Sequence, residues 1–238
     1  MRTIIIGLYL ILLSIVSLPL YLVAFCIGKR DRMKRHYFSQ AIVRHFLKVI
    51  LFLAGAKVTV AGVENIPKDE AVVYIGNHRS YFDILLAYTT VPNPTSFIGK
   101  KEMRRVPLVS HWMAFLSCLF LDRENIREGL KTILKGIEQL KAGYSIFIMP
   151  EGTRNQEKEM LPFHEGSFKL AEKSGCAIIP VAITNTDALF ENHVPWVRSA
   201  KVSITYGKPL YMDTLEKEDK KFIGSYTQNK IQEMLQET

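Results

Sequence analysis

The sequence predicts an α/β fold: a largely parallel central sheet flanked by helices, with an N-terminal hydrophobic helical membrane anchor. Two observations carry this expectation. From residue 57 onward, short apolar runs alternate with helical stretches, the pattern of strands that are buried on both faces. Before it, residues 3–27 contain no charged side chain.

That first segment reaches roughly 37 Å as a helix, at 1.5 Å per residue, against a bilayer core of about 30 Å. A basic cluster follows it, Lys29, Arg30, Arg32, Lys34 and Arg35. Positive flanks stay on the cytoplasmic side, so the bulk of the chain is expected on the cytoplasmic face of the membrane. A cleaved signal peptide fits poorly, because the apolar run is too long and no small-x-small site precedes the basic cluster. Pro19 should kink or break a helix there. Residues 37–56 are also apolar, with Gln40, Arg44 and Lys48 making one narrow polar stripe. That pattern suits a helix lying in the interface or one packed on the rest of the chain. A full span and a hairpin inserted in one leaflet both remain open.

Strands are expected at 57–60, 71–75, 96–99, 118–121, 145–149, 177–183 and 201–206, and helices at 80–89, 101–116, 125–142, 167–173 and 214–236. Gly143 and Gly175 stand where helix C-caps belong. The chain therefore divides into a membrane-associated segment, 1–56, and an α/β domain, 57–238.

Charge narrows the function. The net charge of +8 comes from the first 60 residues, with nine basic side chains and one acid; the remainder is balanced, 22 against 22. A nucleic-acid surface would spread its charge over a folded face with aromatics interleaved, so none is expected. An anionic membrane surface fits better. Cys26, Cys118 and Cys176 lie far apart with no C-x-x-C spacing, as expected of reduced, inert thiols.

Three polar segments each follow a predicted strand: Asn77-His78, Asp122-Arg123 and Pro150-Glu151-Gly152-Thr153-Arg154. Parallel strands bring such segments to one edge of the sheet, where ligands bind. His78 and Asp83 are a candidate base and orienting carboxylate. On one continuous helix they would point about 140° apart. With His78 in a turn and Ser80 as N-cap they could meet. Ser80-x-x-Asp83 is equally a capping-box pattern, in which Asp83 only satisfies backbone N–H groups. No second ligand recurs at metal spacing nearby, so no metal is expected. Gly152 permits close backbone approach, and Arg154 can bind an anion in two-pronged fashion. Lys100 ends another strand, where a lysine suits a phosphate or simply a solvated helix start.

Together these segments resemble the glycerolipid acyltransferases, in particular the 1-acylglycerol-3-phosphate acyltransferase family. The N-H-x-x-x-x-D block is matched from Asn77 to Asp83, and a second block by Phe120-Leu121-Asp122-Arg123. The F-P-E-G-T-R block is matched from Pro150 to Arg154, and a fourth by Ile179-Pro180-Val181. The region Phe97 to Glu102 is also similar, and the resemblance runs from about residue 57 to 210. Met149 replaces the usual phenylalanine and Ser117 the usual glycine. Met fills similar space, but Ser117 would be strained if the turn needs a positive φ.

The resemblance implies transfer of an acyl group from acyl-CoA or acyl carrier protein to lysophosphatidic acid at the bilayer. His78 and Asp83 would be catalytic. Asn77, Lys100, Arg123, Glu151, Gly152, Thr153 and Arg154 would bind substrate, with no further cofactor. Another lysolipid or glycerol-3-phosphate as acceptor, a thioester or lipid hydrolase, and a non-catalytic lipid-binding module are the alternatives.

Overall fold

A computed structural model describes residues 1–122, 124–157 and 159–237. All seven expected strands form: β1 (Ala56–Ala61), β2 (Val73–Gly76), β3 (Thr95–Lys100), β4 (Leu119–Leu121), β5 (Ser145–Ile148), β6 (Ile178–Thr184) and β7 (Ala200–Tyr206). They make one sheet in the order β1-β7-β6-β2-β5-β3-β4. Every pairing is parallel except β6 with β7. The expectation of a largely parallel sheet therefore holds.

The helices are α1 (Arg2–Arg30), α2 (Arg32–Ala54), α3 (Tyr81–Thr90), α4 (Pro107–Phe115), α5 (Ile126–Lys141), α6 (Lys169–Ser174), α7 (Lys217–Lys221) and α8 (Ile223–Gln236). They cover both faces. Tyr74 packs into a core with Leu13 of α1, Leu51 of α2 and Leu86 of α3. Its neighbours Val73 and Ile75 point the other way, toward Leu140 of α5, Leu170 of α6 and Ile231 of α8. This alternation, period two along a strand buried on both sides, explains why the runs are apolar throughout.

Three helices depart from expectation. The stretch 101–116 is not one helix: residues Lys101–Arg105 form a 3-10 turn and α4 begins at Pro107. Proline has no N–H to continue the ladder, and it holds Val106 extended (φ −91°, ψ 102°). The C-terminal helix breaks at Phe222 into α7 and α8. Pro19, in contrast, lies inside α1 without interrupting it.

Gly143 and Gly175 take the left-handed conformations expected of caps. Ser117 does so too, at φ 56°. Its turn leads into β4 and is tied by Gln139 Nε2 donating to the Ser117 carbonyl (2.9 Å). A side chain in this region is disfavoured by roughly 1–2 kcal/mol, so the position that glycine would suit is strained here.

Candidate functional site

Strand order places the site. Central β2 has β5 on one side and β6 on the other, both parallel to it. The segments leaving these three strands therefore emerge side by side at the C-terminal edge of the sheet.

The turn after β2 is held from both sides. Asn77 bonds β6 like one more strand residue: its amide nitrogen donates to the Ile183 carbonyl (2.9 Å), and its amide oxygen accepts from the Ile183 N–H (2.8 Å). From the β5 side, the Glu151 carboxylate accepts from the backbone N–H of His78 (2.7 Å) and of Leu161 (2.9 Å). The His78 carbonyl accepts from the Asn155 N–H (2.7 Å). Burial pushes the Glu151 carboxyl up from its ordinary range, and these backbone donors oppose the shift.

Within this frame His78 and Asp83 meet. Nδ1 of His78 lies 3.0 Å from Asp83 Oδ2. The helix begins only at Tyr81, so the angular objection to residues five apart does not apply. An ionised carboxylate only accepts, so in this bond Nδ1 is the donor, and a neutral ring in this tautomer keeps its lone pair on Nε2. The same Oδ2 accepts from the N–H of Arg79 (2.7 Å) and of Ser80 (2.8 Å). Ser80 Oγ in turn accepts from the Phe82 N–H, completing a capping box. Capping and the imidazole contact thus coexist on one carboxylate. Asp83 is fully buried, whereas the His78 side chain keeps 15% of its surface exposed.

Arg154 stacks over the exposed Tyr81 ring, its guanidinium carbon 3.7 Å from the centroid, and NH1 donates to Glu191 Oε1 at 3.2 Å. Gly152 has φ 74°, which lets the chain turn from β5 toward Arg154. Thr153 is exposed and without a partner among the described residues. So is Lys100, at the end of β3. Its neighbour Lys101 is tied to Asp122 (3.1 Å) and Glu124 (3.0 Å). Arg123 lies outside the described residues.

The stretch after β6 supplies groups that the sequence motifs do not mark. Thr186 Oγ1 donates to Asp83 Oδ1. Asp187 pairs with Arg79 at 3.5 Å. Glu191 accepts from the Tyr81 N–H (2.8 Å) and from Ser80 Oγ as well as from Arg154. The signal was available in topology: β6 also ends at this edge, so polar residues from 185 onward belong with the other strand-end segments.

Comparison with known proteins gives this edge its family. The profile of the Acyltransferase family matches residues 57–184. The 1-acyl-sn-glycerol-3-phosphate acyltransferase of Saccharomyces cerevisiae is 30% identical over 208 residues, 86% of this chain and 67% of the yeast protein. The chain belongs to the 1-acyl-sn-glycerol-3-phosphate acyltransferase family. The Borreliella burgdorferi member is 36% identical over 156 residues, 66% of this chain and 62% of that protein. These matches thus span about two thirds of the relatives' lengths. The crystal structure of the 1-acyl-sn-glycerophosphate acyltransferase of Thermotoga maritima superposes with a TM-score of 0.80 at 25% identity. It covers 99% of this chain and 97% of its own. Similarity therefore extends over the whole architecture, including α1 and α2.

Proposed function

We propose that this protein transfers a fatty acyl group from a thioester, acyl-CoA or acyl carrier protein, to the sn-2 hydroxyl of 1-acyl-glycerol-3-phosphate, giving phosphatidic acid. The observation that carries the reading is the His78–Asp83 hydrogen bond, in a chain of this acyltransferase family. His78 Nε2 takes the proton of the acceptor hydroxyl as its oxygen attacks the thioester carbonyl. Asp83 holds the ring and stabilises the imidazolium. Collapse of the tetrahedral intermediate breaks the C–S bond, and the leaving thiolate takes the proton back from His78. The reading invokes no covalent acyl-enzyme, metal or resident cofactor.

Arg154, Lys100 and Arg123 bind the acceptor phosphate as cations. Tyr81 and Glu191 hold the Arg154 guanidinium in place, while Asn77, Glu151 and Gly152 fix the backbone around it. Thr153 borders the same acceptor pocket.

The chain works at the membrane through an N-terminal segment, 1–56, that enters one leaflet. Both α1 and α2 are long and apolar enough to cross a bilayer. Helix α1, however, is bonded to the rest of the chain along its length. Thr3 Oγ1 accepts from the Val197 N–H (2.9 Å), Ser17 Oγ accepts from the Trp112 indole (3.0 Å), and the Tyr21 hydroxyl donates to the Leu108 carbonyl (2.9 Å). Thr3 and Tyr21 are separated by roughly 27 Å, nearly a full bilayer core of about 30 Å. A helix held at both positions cannot traverse the membrane and leave its partners on one side. Its outward face carries Ile4, Leu8, Ile11, Ile15, Leu18 and Leu22, each between 61% and 66% exposed. This is an apolar stripe suited to lie among acyl chains. The basic residues that end α1 and begin α2, Lys29, Arg30, Arg32 and Lys34, then face anionic headgroups on the cytoplasmic side.

The test is to incubate purified protein with lysophosphatidic acid and radiolabelled acyl-CoA and identify the lipid products. Labelled phosphatidic acid is the expected outcome. Free fatty acid alone would instead indicate a hydrolase, and no turnover with any lysolipid or thioester would point to a binding module.

A further inference from the structure

We infer that Thr186 is a positioning residue for the reaction, holding the Asp83 carboxylate so that it presents Oδ2 to His78; this rests on the acyltransferase reading above. The two oxygens of Asp83 are used very differently. Oδ2 accepts three bonds, from His78 Nδ1, the Arg79 N–H and the Ser80 N–H. Oδ1 accepts one among the described residues, from the Thr186 hydroxyl. Both side chains are withdrawn from water, Asp83 at 0% and Thr186 at 1% exposure. No solvent can replace this donor without the site opening.

The hydroxyl is directed to Asp83 instead of to its own backbone. Thr186 precedes the short 3-10 turn Asp187–Leu189, the N-cap position where a threonine ordinarily bonds the turn's N–H groups. Here its side chain makes no cap bond. It reaches instead across 103 residues of sequence to the Asp83 carboxylate. With Oδ1 pinned, rotation of the carboxylate about χ2 is blocked, and the oxygen facing the imidazole stays fixed. Without it, a buried acceptor is left unsatisfied and the carboxylate is held from the Oδ2 side alone, so its plane relative to the imidazole is less firmly set. Thr186 touches no reacting atom and acts through Asp83 alone.

The inference is tested with Thr186→Val, which keeps shape and removes the hydroxyl, and Thr186→Ser, which keeps the hydroxyl. Each is made in the full chain and again in the His78→Ala background, and thermal melting of every variant verifies folding. Phosphatidic acid formation is measured with lysophosphatidic acid and radiolabelled acyl-CoA. Thr186→Val is expected to lower kcat about 10–100-fold, the span of one hydrogen bond to a charged group. Both KM values should stay within about twofold, and Thr186→Ser should restore kcat to within about threefold of wild type. In the His78→Ala background Thr186→Val should cost nothing further, because its effect passes through the imidazole. Wild-type kcat in Thr186→Val, a serine variant as impaired as the valine one, or an equal loss on top of His78→Ala would each overturn the inference. Should Thr186→Val fail to melt cooperatively, Thr186→Ala takes its place under the same criteria. Full activity in His78→Ala would sink the mechanism itself. A crippled His78→Ala beside a fully active Thr186→Val would sink only the role of Thr186.

Discussion

The turn at residues 77–83 and helix α1 stand in opposite relations to water. In the turn, a fully buried carboxylate has every oxygen engaged, and the chain before it is tied to β6 through the Asn77 side-chain amide and to Glu151 through the His78 N–H. In α1, one side is fastened to the body of the protein while the other exposes a row of large aliphatic side chains. A buried charge persists only when its hydrogen bonds are complete. An exposed apolar row persists only when something other than water covers it. On the proposed function, the turn serves chemistry at fixed geometry and α1 serves location. Changes to one should leave the function of the other standing.

The largest expected separation comes from Asp83→Asn. It keeps the size of the side chain but cannot stabilise an imidazolium, and its amide N–H group opposes the Arg79 and Ser80 donors. We expect kcat to fall on the order of 10²–10⁴ on detergent-dispersed substrates, with vesicle binding unchanged in co-sedimentation. Retained kcat would mean that the carboxylate serves only as a cap. The reverse experiment replaces Ile11 and Ile15 with Gln on the outward face of α1. At about 1.5–3 kcal/mol for each buried side chain, partition onto anionic vesicles should drop by about 100-fold or more. The thermal midpoint and kcat on dispersed substrates should be unaffected; a lower kcat there would tie α1 to the chemistry and erase the distinction.

His36 tests the hairpin where it is least like a membrane face. It is fully buried at the base of α2, with Nε2 3.2 Å from Gln40 Oε1 and its ring 5.1 Å from that of Tyr144. Burial depresses its imidazole from 6.5 to about 4, and the neighbouring Arg35 charge acts in the same direction. The fold thus favours neutral His36. The stability this contributes is complete above pH 6.5 and is lost as pH falls from 6.5 through about 4, on the order of 3 kcal/mol. Thermal midpoints followed across that window should fall less steeply in His36→Phe than in wild type. Parallel curves would show that His36 does not control the docking of α2.

The smallest effect is expected at neither region. Ser117→Gly relieves a left-handed side chain but frees the unfolded chain, for a net gain of about 0.5 kcal/mol. That corresponds to about 1–2 °C in the midpoint, read by calorimetry; a lower midpoint would mean that the strain at Ser117 is already relieved by its hydrogen bonds.

Much of this was legible in the chain itself. The central strands β2, β5 and β6 announce themselves because each is buried on both sides and largely apolar, whereas the edge strand β1 is mostly exposed and carries Lys57 and Thr59; the edge at which the motifs gather follows from parallel order. The expectation of one helix over 101–116 passes over Pro107, whose missing N–H separates the 3-10 turn from α4. Ser117 was legible as a site of strain wherever a positive φ was required. What local pattern could not convey was the second side of the Asp83 carboxylate. Thr186 and Glu191 reach their partners across more than 100 residues, and nothing in their own neighbourhoods distinguishes them from ordinary turn residues. Nor does composition show whether α1 spans. Its charge-free length permits crossing; the bonds of Thr3, Ser17 and Tyr21 to the rest of the chain, which hold it alongside the body, come from residues far away in sequence.

The central claim is that His78 takes the proton of the acceptor hydroxyl while Asp83 holds it in place. It is tested most directly by the kcat of His78→Ala with lysophosphatidic acid and radiolabelled acyl-CoA, in protein that melts as wild type does. The account predicts a fall on the order of 10²–10⁴, with phosphatidic acid still the only labelled lipid product of the wild-type enzyme. Wild-type turnover in His78→Ala would contradict it.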